Sequence, residues 1–256
     1  MRQVEGIVTD ITGSDEEWMR TTGNRVWGTR YAYRSLDNRW GLVTPTEKIG
    51  RKLSLFPMVS ASAGWYAAMP ASPVFEGPAI HASRHFPNRD LIHGGCRIIR
   101  IAEGVWAPHD YRGWSDSRNL EGHEFWLYAL AVANHPDYWT EGTERAASLA
   151  NQTVELPLTG DPAAVAALVG IGRQLVEVWS LDGIQVGLPD GGTGDWQFDG
   201  HDDVADVKIN GYPVLQRWRK ARPGIWDVPV AEEYARTVKA LRMLLDLSEQ
   251  VGELID

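Results

Sequence analysis

The chain has 256 residues, of which 43% are hydrophobic and 23% charged, with a formal net charge of −9 and one cysteine, Cys96. That is enough apolar material for one large domain or two small ones and argues against disorder, while the negative charge argues against a generic, salt-driven nucleic-acid binder. One cysteine excludes an intramolecular disulfide framework and a cysteine-rich zinc site, and the absence of a basic-then-apolar leader at Met1-Arg2-Gln3-Val4-Glu5 or an apolar run of membrane-spanning length leads to the expectation of a cytoplasmic protein without a membrane partner.

Along the first 110 residues the apolar pattern comes in short bursts. Val4, Ile7 and Val8 form one. Val26-Trp27-Gly28-Thr29-Arg30-Tyr31-Ala32-Tyr33 forms a second, bounded by Gly23-Asn24, and predicts a strand. Arg34-Ser35-Leu36-Asp37-Asn38-Arg39-Trp40 then reads as a turn, and Thr44-Pro45-Thr46-Glu47-Lys48 as a short helix capped by Thr44. Phe56–Val59, Gly64–Met69, Val74–Ile80 and Cys96–Ile101 continue the strand pattern. The period then changes. His123–Asn134 predicts an apolar helix ended by His135-Pro136, Thr143–Leu149 a shorter one, and Val154–Leu158 an extended segment. Asp161-Pro162 supplies a cap and a first-turn proline to a helix running to about Leu181. After a glycine-rich stretch from Asp182 to Gly200 comes Val204–Ile209, an alternating strand with Val207 and Ile209 on one face. Asn210-Gly211 supplies a turn, because both tolerate positive φ. Tyr212–Trp218 begins a helix with Pro213 near its first turn. After Arg222-Pro223-Gly224 a long amphipathic helix follows, its stripe formed by Tyr234, Val238, Leu241, Leu244, Leu245, Val251 and Leu254. The expected architecture is α+β in a single domain, with a mainly β subregion at 1–110 and a mainly helical subregion at 111–256.

No phosphate-cradling Gly-x-x-x-x-Gly-Lys loop or dinucleotide fingerprint occurs. His81, His85, Asp90 and His93 lie close enough in sequence to invite a metal, but Pro87 and polar neighbours point to a loop. Asp190, followed by Asp206-Val207-Lys208, loosely matches a metal-dependent nuclease pattern, in which two carboxylates hold the ion and the lysine steadies a phosphate. Its plain alternative is a set of solvated charges beside a strand. The arginines carry more. Arg30, Arg34 and Arg39 are interleaved with Tyr31, Tyr33 and Trp40, while Arg217, Arg219, Lys220 and Arg222 crowd the end of one predicted helix. Guanidinium groups bind phosphate or guanine bidentately, and they also simply pair with acids or pack their stems on tryptophan.

Several segments together resemble a known family. Tyr33-Arg34-Ser35-Leu36-Asp37-Asn38-Arg39-Trp40 resembles the Tyr-Arg-Pro-Phe-Asp-x-Arg-Trp segment of type ISP restriction–modification enzymes and related adenine-N6 DNA methyltransferases. Phe125–Tyr138, ending in His135-Pro136-x-Tyr138, is similar to their next helix. Val154–Thr159 leading to Ile171-Gly172-Arg173-Gln174-Leu175 resembles their Ile-Pro-Leu … Leu-Gly stretch. Ile209–Trp218, followed by Arg222, resembles their Gly-Tyr-x-Val-Leu-x-x-Trp … Arg signature. Order and spacing across residues 30–256 make the match specific, although Ser35-Leu36 stand where Pro-Phe is usual. The resemblance implies the C-terminal target-recognition module of such an enzyme. The glycine-rich methyl-donor loop and the Asn/Asp-Pro-Pro-Tyr/Phe motif of the family's catalytic part are absent from this sequence. The expectation is therefore a DNA-recognition chain with no cofactor and no catalytic residues, working with double-stranded DNA and with a methyltransferase or restriction module in cis or in trans. The expected DNA contacts are Arg34, Asn38, Arg39, Arg97, Arg217, Arg219, Lys220 and Arg222, with Tyr212 and Trp218 assigned to packing. An acidic surface that docks a methyltransferase partner, and the small nuclease, are the alternatives.

Overall fold

The computed structural model describes residues 27–43, 48–49, 53–54, 64–71, 77–87, 91–92, 96–150, 156–187, 203–209, 211–223 and 228–255. Among the described residues the N-terminal part is strands and the rest mainly helices, interrupted by one short strand pair near the C-terminus, an α+β arrangement. Strand β1 (Trp27–Arg34) and β2 (Asp37–Val43) form an antiparallel hairpin with Arg34 opposite Asp37, so only Ser35 and Leu36 make the turn. A second hairpin joins β3 (Lys48–Ile49) to β4 (Leu53–Ser54). Strand β5 (Trp65–Pro70) lies between β6 (His81–Ser83) and β8 (Cys96–Ile101), antiparallel to both. The short β7 (Phe86–Pro87) runs parallel to β1 and completes the order β2-β1-β7.

After a 3-10 turn at His109–Tyr111 the helices follow: α1 (Arg112–Ser117), α2 (Gly122–Val132), α3 (Pro136–Trp139), α4 (Glu144–Ala150) and α5 (Pro162–Ser180). A two-stranded ribbon of β9 (Lys208–Ile209) and β10 (Tyr212–Pro213) leads into α6 (Val214–Lys220) and the closing α7 (Val228–Ile255). The local reasons are legible. In α2, Glu121 and Glu124 form a reciprocal capping box. In α5, the Asp161 carboxylate accepts from the Ala163 N–H at 3.0 Å and Pro162 opens the helix, while Leu181 closes it with φ +56°.

The core lies where α2, α5 and α7 meet the β6-β5-β8 sheet. On α2, Phe125 and Leu127 through Val132 are all buried. One glycine sets how closely α2 and α5 approach: a Cβ on Gly172 would stand 2.2 Å from the carbonyl oxygen of Leu127. Helix α5 is long and apolar enough to cross a bilayer by length and composition, which the sequence reading did not anticipate. Its buried face, from Ala164 and Val165 to Val178 and Trp179, packs on α2 and α7 instead.

Several boundaries differ from expectation. The Arg34–Trp40 segment is a hairpin whose second half is strand, because Leu36 takes the left-handed conformation and reverses the chain in two residues. Lys48 lies in a strand and not in a helix, and Thr44–Glu47 fall outside the described residues. Residues 77–80 are buried without a strand partner, and Gly77 and Ala79 instead donate to the carbonyls of Tyr138 and Ala133, each at 2.9 Å. Val204 to Asp206 form a turn, so the strand expected over Val204–Ile209 is reduced to Lys208–Ile209. Tyr212 and Pro213 pair back on it, with Val214 N–H donating to Val207 O at 3.1 Å. Pro213 is tolerated there because, among the described residues, β10 is an edge strand. Helix α1 was not foreseen. The readings at Val4–Val8, Phe56–Val59 and Gly191–Gly200 lie outside the described residues.

Candidate nucleic-acid interface

The two segments that carry the family resemblance most strongly, Tyr33–Trp40 and Ile209–Trp218 with Arg222, are remote in sequence but come together in space. Asp37, at the start of β2, is 5% exposed and faces Arg222 beyond the end of α6, with Nη2 and Oδ1 2.8 Å apart. The same guanidinium stands 3.3 Å from the Glu233 carboxylate on α7 and lies over the Trp218 ring, 4.0 Å from its centroid. A cleft runs between the segments. Ser35 and Asp37 form one wall, and Ile209, Tyr212, Arg217 and Trp218 form the other.

The hairpin turn is held from below as well. Leu36 is 2% exposed, and its carbonyl accepts a long bond of 3.5 Å from the Thr237 hydroxyl of α7. Ser35 Oγ is 3.1 Å from His81 Nδ1, and the His81 ring packs against Trp179 with centroids 4.8 Å apart. Ser180, the last residue of α5, then gathers three elements. Its carbonyl accepts from Asn38 Nδ2 at 2.7 Å, its hydroxyl accepts from the Arg84 N–H at 2.7 Å, and the hydroxyl donates to Val176 O at 2.6 Å.

These positions sort the expected DNA contacts. Asn38 is buried, its amide directed at Ser180, so its place in the fold is a tether between β2 and α5. Arg222 is committed to Asp37, Glu233 and Trp218. Lys220 is exposed at the end of α6. Arg219, also exposed, lies over Tyr234 with Cζ 5.0 Å from the ring centroid, and half-buried Arg217 over Tyr212 at 4.1 Å, so each guanidinium is held against an aromatic ring. Burial raises the Tyr234 hydroxyl above its usual pKa, an effect Arg219 partly offsets. Arg97 is exposed on β8 opposite Met69, while Arg100 lies opposite Tyr66. Arg34 closes β1 opposite Asp37, and Arg39 lies on β2 opposite Tyr31, so both are carried by the hairpin. Tyr212 is half-buried and Trp218 belongs to the core.

The other chemistries are not assembled. His81 is on a buried strand, and His85 Nε2 stands 3.7 Å from Asp182 in a neighbouring ion pair that also holds Arg84. Asp90 and His93 fall outside the described residues, among which no group of three or more His, Cys, Asp or Glu is placed to hold a metal. Asp206 sits in a turn and Lys208 on β9, both exposed, while Asp190 falls outside the described residues.

The fold has relatives among DNA-bound proteins. A nuclease-deletion mutant of the Type ISP restriction–modification enzyme LlaGI, in complex with a DNA substrate mimic, matches 88% of this chain with a TM-score of 0.56 and 13% identity. A DrdV–DNA complex matches 89% with a TM-score of 0.53 and 14% identity. The chain spans only a quarter or so of each, 24% and 28% of their lengths. At such identities the likeness is one of fold. No family model matches the chain, and no curated protein sequence does.

Sequence reasoning missed one part of the site. The carboxylate partners of Arg222 were not foreseen, because Asp37 and Glu233 are remote in sequence and each resembles an ordinary surface acid. Their signal was present only as an Asp inside one motif and an Arg inside the other.

Proposed function

We propose that this chain is a DNA-recognition module that serves a restriction–modification or DNA adenine-methyltransferase catalytic unit, joined to it in cis or recruited in trans, in the cytoplasm. It acts by binding and makes no covalent bond itself. One observation carries the reading: the sequence motifs of type ISP enzymes and a fold shared with a DNA-bound Type ISP enzyme occur in the same chain, over nearly its whole length. The two lines of support differ in kind, one lying in short side-chain motifs and the other in the path of the backbone at 13% identity.

Arg217, Arg219 and Lys220 on the last turn of α6, with Arg97 on β8 and the hairpin arginines Arg34 and Arg39, supply cations for phosphate oxygens or base edges. The net charge of −9 confines binding to such local patches and disfavours indiscriminate contact elsewhere. A salt titration of duplex binding, followed by fluorescence anisotropy, tests the reading. Wild-type protein is expected to bind at low salt with affinity falling steeply as salt rises. The Arg219→Ala/Lys220→Ala double variant is expected to lose up to about 1.8 from the log–log slope, at roughly 0.9 per phosphate contact. Absence of duplex binding at low salt would sink the reading for this chain.

A further inference from the structure

We infer that Asp37 and Arg222 are positioning residues for DNA binding: their buried ion pair sets the angle at which the cationic turn of α6 meets DNA. The inference rests on the proposed function, because it assigns a role relative to the phosphate contacts of Arg217, Arg219 and Lys220.

Arg222 is tied at both ends. Its N–H donates to Arg219 O at 3.0 Å, and the neighbouring Ala221 N–H donates to Arg217 O at 3.1 Å and Trp218 O at 3.2 Å. Its main chain is thus continuous with the turn that carries the cations. Its guanidinium, 16% exposed, reaches Asp37 on the hairpin and Glu233 on α7. A helix of seven residues such as α6 does not hold its own direction in isolation. Here Val214, Leu215 and Trp218 bury one face of it, and the Arg222 clamp that follows ties down the end that carries the cations. The hairpin on the other side of the clamp bears Arg34 and Arg39. One ion pair therefore sets the relation between the two groups of arginines that the sequence motifs contain.

Charge makes the idea testable, because removing Asp37 and loosening the clamp push binding in opposite directions. Asp37→Asn makes the chain one unit less negative and leaves every proposed phosphate contact in place, so as a bystander it would leave duplex binding unchanged or tighter. As a positioning residue it weakens binding, and the salt slope falls by between about 1 and 3 although no cation has been removed. A purely structural role would lower the fraction of active protein, measured by stoichiometric titration, and leave the slope of the active fraction alone. Glu233→Gln, a milder change at the second acceptor, gives a smaller fall in slope and serves as the deciding variant if Asp37→Asn does not fold. Wild-type slope and affinity in whichever of these variants folds would overturn the inference. Failure of the wild-type chain to bind duplex would instead remove the proposed function, and the inference with it.

Discussion

Gly172 offers the sharpest test of how the helices are held. Its Cα faces the backbone of Leu127, and an added Cβ would lie 2.2 Å from the carbonyl oxygen, 2.7 Å from the carbonyl carbon and 3.0 Å from Cα. No side-chain rotation relieves a clash with backbone. Restoring an ordinary separation of about 3.4 Å requires α2 and α5 to part by roughly 1 Å, which forfeits a quarter to a half of the dispersion energy of each contact along the seam. Alanine is the better helix former by about 1 kcal/mol, so the two effects oppose each other. Overpacking at a well-filled site costs about 1–3 kcal/mol, and separation of backbones belongs at the upper end. Gly172→Ala is therefore expected to destabilise by about 1–2 kcal/mol net, lowering Tm by roughly 2–8 °C for a chain of this size. Gly170, on the same helix with nothing within 4 Å of its added Cβ, is the internal control. Gly170→Ala is expected to raise stability by about 0.5–1 kcal/mol. Urea denaturation followed by circular dichroism measures both. Equal or greater stability of Gly172→Ala than of wild type would refute the account of the seam.

Leu36→Gly relieves a left-handed backbone worth about 1–2 kcal/mol but removes a buried side chain worth about 2–5 kcal/mol. A net loss in thermal stability is expected, and a gain would show that strain in the turn dominates. Asn38→Asp puts a carboxylate where an amide donates to Ser180 O, at a site 5% exposed, so it should cost about 3 kcal/mol or more at neutral pH. The deficit relative to wild type should shrink as pH falls and a proton restores the donor; a deficit independent of pH would contradict this placement. Burial raises the hydroxyls of Tyr66, Tyr128 and Tyr234 above the ordinary value of 10.0. The unfolded chain then ionises first, so the stability they contribute is complete below about pH 10 and is lost as pH rises through the higher folded values. Tyr128→Phe also breaks contacts to Pro157 O at 2.5 Å and Thr159 N at 3.2 Å, so it should be less stable at neutral pH yet decline less steeply in alkali. An alkaline decline as steep as in wild type would argue against a buried Tyr128.

What the sequence disclosed follows the range of the interactions concerned. The Asp161-Pro162 start of α5 and the stripe of α7 depend on neighbours within a few residues, and both stand where the pattern puts them. The positive φ expected at Gly211 was equally local, and it stands at +72°. The β9–β10 ribbon was harder. Tyr212 and Pro213 look like a helix start, because Pro at a first turn is common, and only pairing with Ile209 and Lys208 makes them strand. The buried segment at residues 77–80 resembles a strand in composition, but its backbone partners lie on a different element. At the site, the cationic turn of α6 could be read from its residues. Whether a given arginine faces solvent or an acid could not: Arg219 and Arg222 are three positions apart, and only the second meets Asp37. The motif glycine Gly172 gains its meaning only from Leu127 on the facing helix.

Selection from a random duplex library at near-physiological salt tests the central claim most directly. The account expects a defined sequence to be enriched over rounds, with enrichment weakened by Arg219→Ala/Lys220→Ala. Uniform recovery of all sequences, or recovery of none, would contradict a role in target recognition.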